Sequence, residues 1–268
     1  MSGFSAEWLA LRERADARAR SAPLVAALRA RLAADARILD LATGTGANVR
    51  HLAPLLDGNH AWTVVDHDAA LLAVLPQRVP HSLALDAVRA DLRDLAALPF
   101  PEHGLVTASA LLDLVSATWL EALAARCAQA SACVLFALSY DGRIAFQPSL
   151  PYDARVTELV NRHQRGDKGF GPALGPTAAA AAVAAFAAVG YRCETAPSDW
   201  QLGPEDSALQ RALVAGWAEA ATAMDPAAAG PIAAWREARS ASAAATRLGV
   251  GHVDVIAWPH PRRAGARR

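Results

Sequence analysis

Cysteine is scarce in this chain of 268 residues. Cys127, Cys133 and Cys193 are odd in number and lack CxxC spacing. This excludes a disulfide framework and leaves small buried hydrophobes in a reducing compartment as the expectation. An excess of one charge is also missing, since 26 Lys plus Arg balance 26 Asp plus Glu. No global field therefore draws the chain to nucleic acid or to a membrane surface. The basic tail at 261–268 is short and is expected to be a solvated, disordered terminus. No apolar signal core opens the sequence, because Glu7, Arg12, Glu13, Arg14 and Asp16 interrupt it. The apolar run at 178–188 is too short to cross a bilayer and reads as a buried helix. There is no Gly-Lys-Ser/Thr phosphate loop, and His, Cys and Asp nowhere fall at metal-ligand spacing, so no metal is expected. These absences together predict a soluble, cytoplasmic protein with a core large enough to need no staples.

The chain does have Ile38-Leu39-Asp40-Leu41-Ala42-Thr43-Gly44-Thr45-Gly46-Ala47-Asn48, an apolar run that ends in an acid, turns on two glycines and restarts as a helix through Val49, Leu52 and Leu55. Such a turn brings backbone close to a ligand. Asp40 would repel a pyrophosphate there and suits a ligand with a positive centre. Further apolar strands are predicted at 62–66, 86–92, 105–109, 132–140, 191–196 and 253–258. Helices are predicted between them at 47–56, 69–75 (closed by Pro76), 111–130, 177–189 (capped by Thr177), 205–224 and 231–248. The alternation predicts an α/β fold with a doubly wound, mostly parallel, seven-stranded sheet. Ahead of it, residues 4–34 read as two helices divided near Pro23, with Ser21 as a cap. The expected organisation is an N-terminal helical lid at 1–35, a core at 36–140, a polar Gly- and Pro-bearing insertion at 141–176, and the rest of the core with helical insertions at 177–260.

Three strand ends carry acids in order: Asp40 before the glycine turn, Asp66 after Val64-Val65, and Asp91 in Arg89-Ala90-Asp91-Leu92. On these residues the chain resembles the class I S-adenosylmethionine-dependent methyltransferases, of Rossmann-like fold, over about residues 36–140 and more weakly through the last two strands. The resemblance implies S-adenosylmethionine as cofactor, S-adenosylhomocysteine as product, and no metal. It implies that Asp40 lies near the methionine amine, that the backbone of Ala42, Thr43, Gly44 and Gly46 passes the methionine and ribose, and that Asp66 takes the ribose hydroxyls. His67 would pack on adenine, Asp91 and Leu92 would bind its edge, and Ser109 closes the fourth strand end. Ala42 stands where the family most often has glycine, and its methyl is expected to sit at negative φ.

The acceptor side carries less pattern. Asp113, Tyr140 and His163 are the candidate catalytic groups, each equally readable as a cap, a core phenol or a loop residue. Trp8, Arg165, Lys168 and Phe170 are the candidate substrate contacts, and Trp200 and Trp217 candidate pocket walls. The segment 161–172 follows the fifth strand and is placed to cover a substrate mouth. The expected activity is methylation of a small-molecule acceptor at oxygen or nitrogen, by a monomer or homodimer that binds neither nucleic acid nor membrane. A nicotinamide-dependent oxidoreductase on a similar sheet, or a methyltransferase-like binding subunit without turnover, are the alternatives.

Overall fold

A computed structural model describes residues 4–102 and 104–260. The basic tail expected at 261–268 lies outside them. Strands β1 (Arg37–Leu41), β2 (Ala61–Asp66), β3 (Ala84–Arg89), β4 (Leu105–Ser109), β5 (Cys133–Gln147), β6 (Tyr191–Pro197), β7 (Trp200–Leu202) and β8 (Arg247–Pro259) form one sheet. Its order is β3-β2-β1-β4-β5-β8-β6, with β7 paired to β8. Strands β1 to β5 pair in parallel, whereas β8 runs antiparallel to β5, β6 and β7. The strand order reverses between β1 and β4, which in such a sheet opens a crevice beyond their carboxyl ends.

Apolar side chains alternate across the sheet because successive strand residues face opposite ways. Leu39, Leu41, Val106 and Phe136 pack with Leu120 and Leu123 of α6 (Ala117–Ala130) and Phe186 of α8 (Ala178–Ala188). On the other face Ile38, Val64, Leu105 and Leu135 meet Leu24, Val25 and Leu28 of α2 (Ala22–Arg29) and Val49 and Leu52 of α3 (Ala47–Leu52). The helix α1 (Ala6–Ala19) lies across the glycine turn, tied down by Arg50, whose guanidinium pairs with Glu13 and donates to the Thr45 carbonyl.

Several local expectations need correction. Pro76 does not close a helix: α4 (Ala69–Ala73) ends before it, and Pro76 lies in the first turn of α5 (Leu75–Arg78), where its missing N–H costs nothing. By contrast the division near Pro23 and the Ser21 cap are as expected: the first two helices part at Arg20-Ser21, with Pro23 in the first turn of α2 and Ser21 accepting from the Leu24 N–H. The strand expected at 86–92 stops at Arg89 and is mostly exposed at the sheet edge, so hydrophobicity marked its ends poorly. Thr177 does not cap α8 through its side chain; its hydroxyl donates instead to the Leu174 carbonyl. The last predicted helix stops at Ser242, not 248, because β8 begins at Arg247.

The largest difference lies beyond Tyr140. The fifth strand continues to Gln147 and pairs with the extended start of β8 as far as Arg247. A bulge at Leu138 (φ 58°) re-aims it, held by the buried Asp254 carboxylate, which accepts from the Leu138 N–H and the Ser21 N–H. Around this twisted extension a separate core forms from Phe146, Trp200, Leu213, Trp235 and Val250. It is covered by α7 (Asp153–Gln164), α9 (Ser207–Met224) and α10 (Ala229–Ser242). Among the described residues, no helix is long and apolar enough to cross a membrane.

Candidate active site

The carboxyl ends of β1, β2 and β4, the start of α1 and the segment after α7 enclose a cavity of about 310 Å³. That is the lower end of the range for small-ligand sites. The glycine turn forms one wall. Ala42 and Gly44 both hold left-handed backbone, at φ 52° and 55°. The expectation of negative φ at Ala42 is therefore wrong, because the chain must reverse here whichever residue stands there. A left-handed alanine carries a cost of about 1–2 kcal/mol that glycine does not. Ala42→Gly is thus expected to stabilise the protein by about 0.5–1 kcal/mol, net of glycine's greater unfolded-state entropy, as read by denaturant unfolding. At Gly44 an added Cβ would come within 2.9 Å of the Leu9 Cδ1 of α1.

Asp66 is the fixed point of the site. Its Oδ2 accepts from the Gly44 N–H at 2.8 Å and its Oδ1 from the Asp68 N–H at 3.0 Å. Two more N–H groups of the turn are also used internally: Thr43 donates to the Val65 carbonyl and Gly46 to the Thr43 carbonyl. A phosphate-binding turn keeps such donors for its ligand. Here they hold a carboxylate, whose free lone pairs face donors rather than anions. His67, largely exposed, stands with Nδ1 3.3 Å from Asp66 Oδ1.

Asp40 does not line the cavity. It is fully buried behind Asn48, whose Nδ2 donates to Asp40 Oδ1 at 2.5 Å and also meets Thr107 Oγ1 at 3.1 Å. Burial raises the Asp40 carboxyl to about 6, against the opposing pull of the Thr43 and Asn48 side chains and of Arg20. Arg20, at the end of α1, donates to Asn48 Oδ1 at 2.5 Å and to Ser109 Oγ at 2.8 Å. Asn48 and Arg20 thus link Asp40 to the wall, and neither is legible from strand-end position alone.

The other predicted residues divide into two sets. Ala42, Thr43, Gly44, Asp66, His67, Asp91, Leu92, Ser109, Lys168 and Phe170 line the cavity. Asp91 does so on the exposed rim, paired with Arg93, whose hydrogen bonds depress it to about 2. Leu92 is buried, and its carbonyl accepts from Trp119 Nε1 at 2.7 Å. Gly46 lies outside the wall, where φ 80° lets it start α3 under Leu75 and Val79. Trp8, Trp200 and Trp217 pack instead in the core beneath α1, α7 and α9. Arg165 is exposed and away from the cavity.

Asp113, Tyr140 and His163 also stand off the wall. Tyr140 donates to Asn161 Oδ1 at 2.8 Å, and burial raises its phenol, so it is a hydrogen-bonded core group here. His163 Nδ1 faces Lys168 Nζ at 3.3 Å, and burial with that neighbour lowers the imidazole. Asp113 is buried with Oδ1 lacking a hydrogen-bond partner among the described residues, and burial lifts it to about 6. A carboxyl that is higher in the fold than in the unfolded chain binds the extra proton in the folded state. Its contribution therefore falls as pH rises from about 4 to about 6, and stays unfavourable above. Asp113→Asn is expected to be more stable than the parent at pH 7.5, with that advantage shrinking toward pH 4.5 in parallel urea titrations.

Sequence reasoning expected a helical lid and singled out Trp8, but missed the α1 residues that reach the cavity. Leu9, Arg12 and Asp16 line the cavity opposite the glycine turn. Arg12 pairs with Asp16 at 2.9 Å and stacks 4.9 Å from the Trp200 ring centre, and Asp16 also accepts from Trp200 Nε1 at 3.0 Å. The i, i+4 spacing of Arg12 and Asp16 was visible, but only the fold aims the pair at a cavity. Ala110, a second left-handed alanine at φ 52°, was equally hidden.

Residues 38–132 match the model of the family described as a methyltransferase domain. The match is confined to that segment, from β1 to the end of α6. Among solved structures, a protein from Bacillus halodurans C-125 described as a methyltransferase shares the fold at TM-score 0.51 and 12% identity. The similarity covers 89% of this chain and 98% of that one. A Geobacter sulfurreducens S-adenosylmethionine-dependent methyltransferase, in complex with S-adenosyl-L-homocysteine, aligns at TM-score 0.49 and 18% identity over 97% of this chain and 100% of that one. No curated protein matches the sequence.

Proposed function

We propose that this cavity binds S-adenosylmethionine and that the protein transfers its methyl group to a small-molecule acceptor at oxygen or nitrogen. The observation that carries the cofactor reading is the Asp66 carboxylate held by the Gly44 and Asp68 amides. It sets a negative charge against the turn, unfavourable to a diphosphate, and presents acceptors to a pair of ribose hydroxyls. The cavity fits the rest of such a ligand. Leu71 and Leu92 supply apolar wall for a purine, with Asp91 on the rim. Thr45, also on the wall, has a buried hydroxyl oxygen without a hydrogen-bond partner among the described residues, a group that a bound ligand can satisfy.

When bound, the cofactor supplies an electrophilic methyl on a sulfonium. The chain's own part is to orient it and exclude water. Asp66 fixes the ribose, and the left-handed backbone of Ala42 and Gly44 brings the turn against the aminoacyl arm. Asp40 acts through Asn48, placing negative charge behind the wall where an amine would lie. The segment with Lys168 and Phe170 covers the end toward the acceptor. No described group on the wall is arranged as a dedicated base, which suits an acceptor whose nucleophile needs little help with its proton.

Calorimetric titration tests the reading. S-adenosylhomocysteine is expected to bind at micromolar or better affinity, and NAD not to bind measurably. The reverse pattern would return the chain to the oxidoreductase alternative.

A further inference from the structure

Lys168 is the only lysine in a chain whose Lys plus Arg total 26. It lies on the cavity wall next to Phe170. The other cations on that wall are neutralised, Arg12 by Asp16 and Arg93 by Asp91. Lys168 differs: among the described residues it has no ion pair within 4.0 Å. Its Nζ meets His163 Nδ1 at 3.3 Å, and burial together with the lysine charge keeps that ring neutral. The imidazole therefore accepts one ammonium proton and leaves two donors unused. Asp113 acts on Lys168 only at longer range, from behind the wall.

The surroundings are apolar. Leu111 and Leu114 complete the wall, and Phe170 meets the edge of Trp119 at 5.5 Å between ring centres. A partly buried ammonium with two free donors and greasy neighbours is poorly solvated and has no counter-charge in contact with it. Lysine, a compact point charge, suits a single carboxylate oxygen at the end of such a slot.

We infer that the methyl acceptor is an apolar carboxylic acid, its carboxylate held by Lys168 and its body lying against Phe170 and Leu114. This rests on the reading of the cavity as a methyl-transfer site. It adds a substrate class, and it gives the segment after α7 the task of carrying the recognising charge.

The lone lysine makes the test direct. Protein grown with 13C-lysine gives one side-chain Cε resonance. In protein saturated with S-adenosylhomocysteine, benzoate, phenylacetate or hexanoate is expected to shift that resonance saturably, and benzamide is not. Lys168→Met is expected to weaken carboxylate binding about tenfold or more, the weight of one charge-assisted hydrogen bond, while Lys168→Arg stays within a few-fold of the parent. Both variants should keep the parent's affinity for S-adenosylhomocysteine. Silence of the resonance toward all three acids overturns the inference. So does a shift caused by S-adenosylhomocysteine but not by 5′-methylthioadenosine, which would assign the ammonium to the cofactor's own carboxylate. Failure of S-adenosylhomocysteine to bind would count against the cofactor reading only, because the acid titrations are repeated on the unliganded protein.

Discussion

Asp66→Ala is expected to weaken S-adenosylhomocysteine binding at least about a hundredfold. Two hydrogen bonds from ribose hydroxyls to a buried carboxylate are each worth about 1.5–3 kcal/mol, and about 2.7 kcal/mol in all is a hundredfold. The same change removes the acceptor for the Gly44 and Asp68 N–H groups, so a stability loss of about 2 kcal/mol accompanies it. Asp66→Asn separates the two effects. An amide oxygen can keep one turn amide in place, so this variant should lose much of the affinity while recovering most of the stability. Calorimetry with circular-dichroism melts reads both. Undiminished affinity in a folded Asp66→Ala protein would mean that the cavity is not used as proposed.

Arg239→Met is expected to have the largest effect on stability, about 3 kcal/mol. Arg239 is buried in α10, stacks 4.0 Å from the Phe146 ring centre, donates to the Pro148 carbonyl at 3.0 Å and forks onto Asp153. Asp153 also accepts from Trp235 Nε1 and the Leu150 N–H. Removing the cation strands this carboxylate, and breaking a buried pair on one side costs about 3–5 kcal/mol. The lower figure applies because the Asp153 side chain keeps 14% of its exposure. Asp153→Asn added to Arg239→Met should return part of the loss. If the double variant is less stable than the single one in urea unfolding, the cost is packing on Phe146 and not a stranded charge. The pair anchors the start of α7, the helix whose far end leads to Lys168.

What the sequence made legible follows from where hydrophobic burial is two-sided. β1, β2, β4 and the first part of β5 are nearly continuous apolar runs, and they were found within a residue or two. Asp66 and the glycine turn were found because a charge at the end of such a run is conspicuous. The exposed edge strand β3, the extension of β5 and the three-residue β7 lack that pattern and were misjudged or missed. In the site, the missed residues arrive from elsewhere in the chain. Arg12, Asp16 and Arg20 sit on a helix whose pattern says only that it is amphipathic. Nothing local says that its polar side closes over a turn some 30 residues downstream. The acids illustrate the converse. Asp40, Asp66 and Asp91 look alike as strand-end charges. The fold makes them a buried group behind the wall, a wall carboxylate fixed by two backbone amides and a rim residue tied to Arg93.

The place of β8 in the sheet has a consequence for how the polypeptide is made. The strand at 247–259 is inserted between β5 and β6 and also carries β7, so three strands synthesised earlier wait for it. Until it emerges from the ribosome, β5 presents an open, apolar edge and Asp254 cannot clasp Ser21 to Leu138. A nascent chain that stalls before residue 247 therefore has strands β1 to β4 in place but a sticky flank, and folding of the second core becomes a late, long-range step. Chaperone demand during translation should peak in that interval and fall once the last strand slots home.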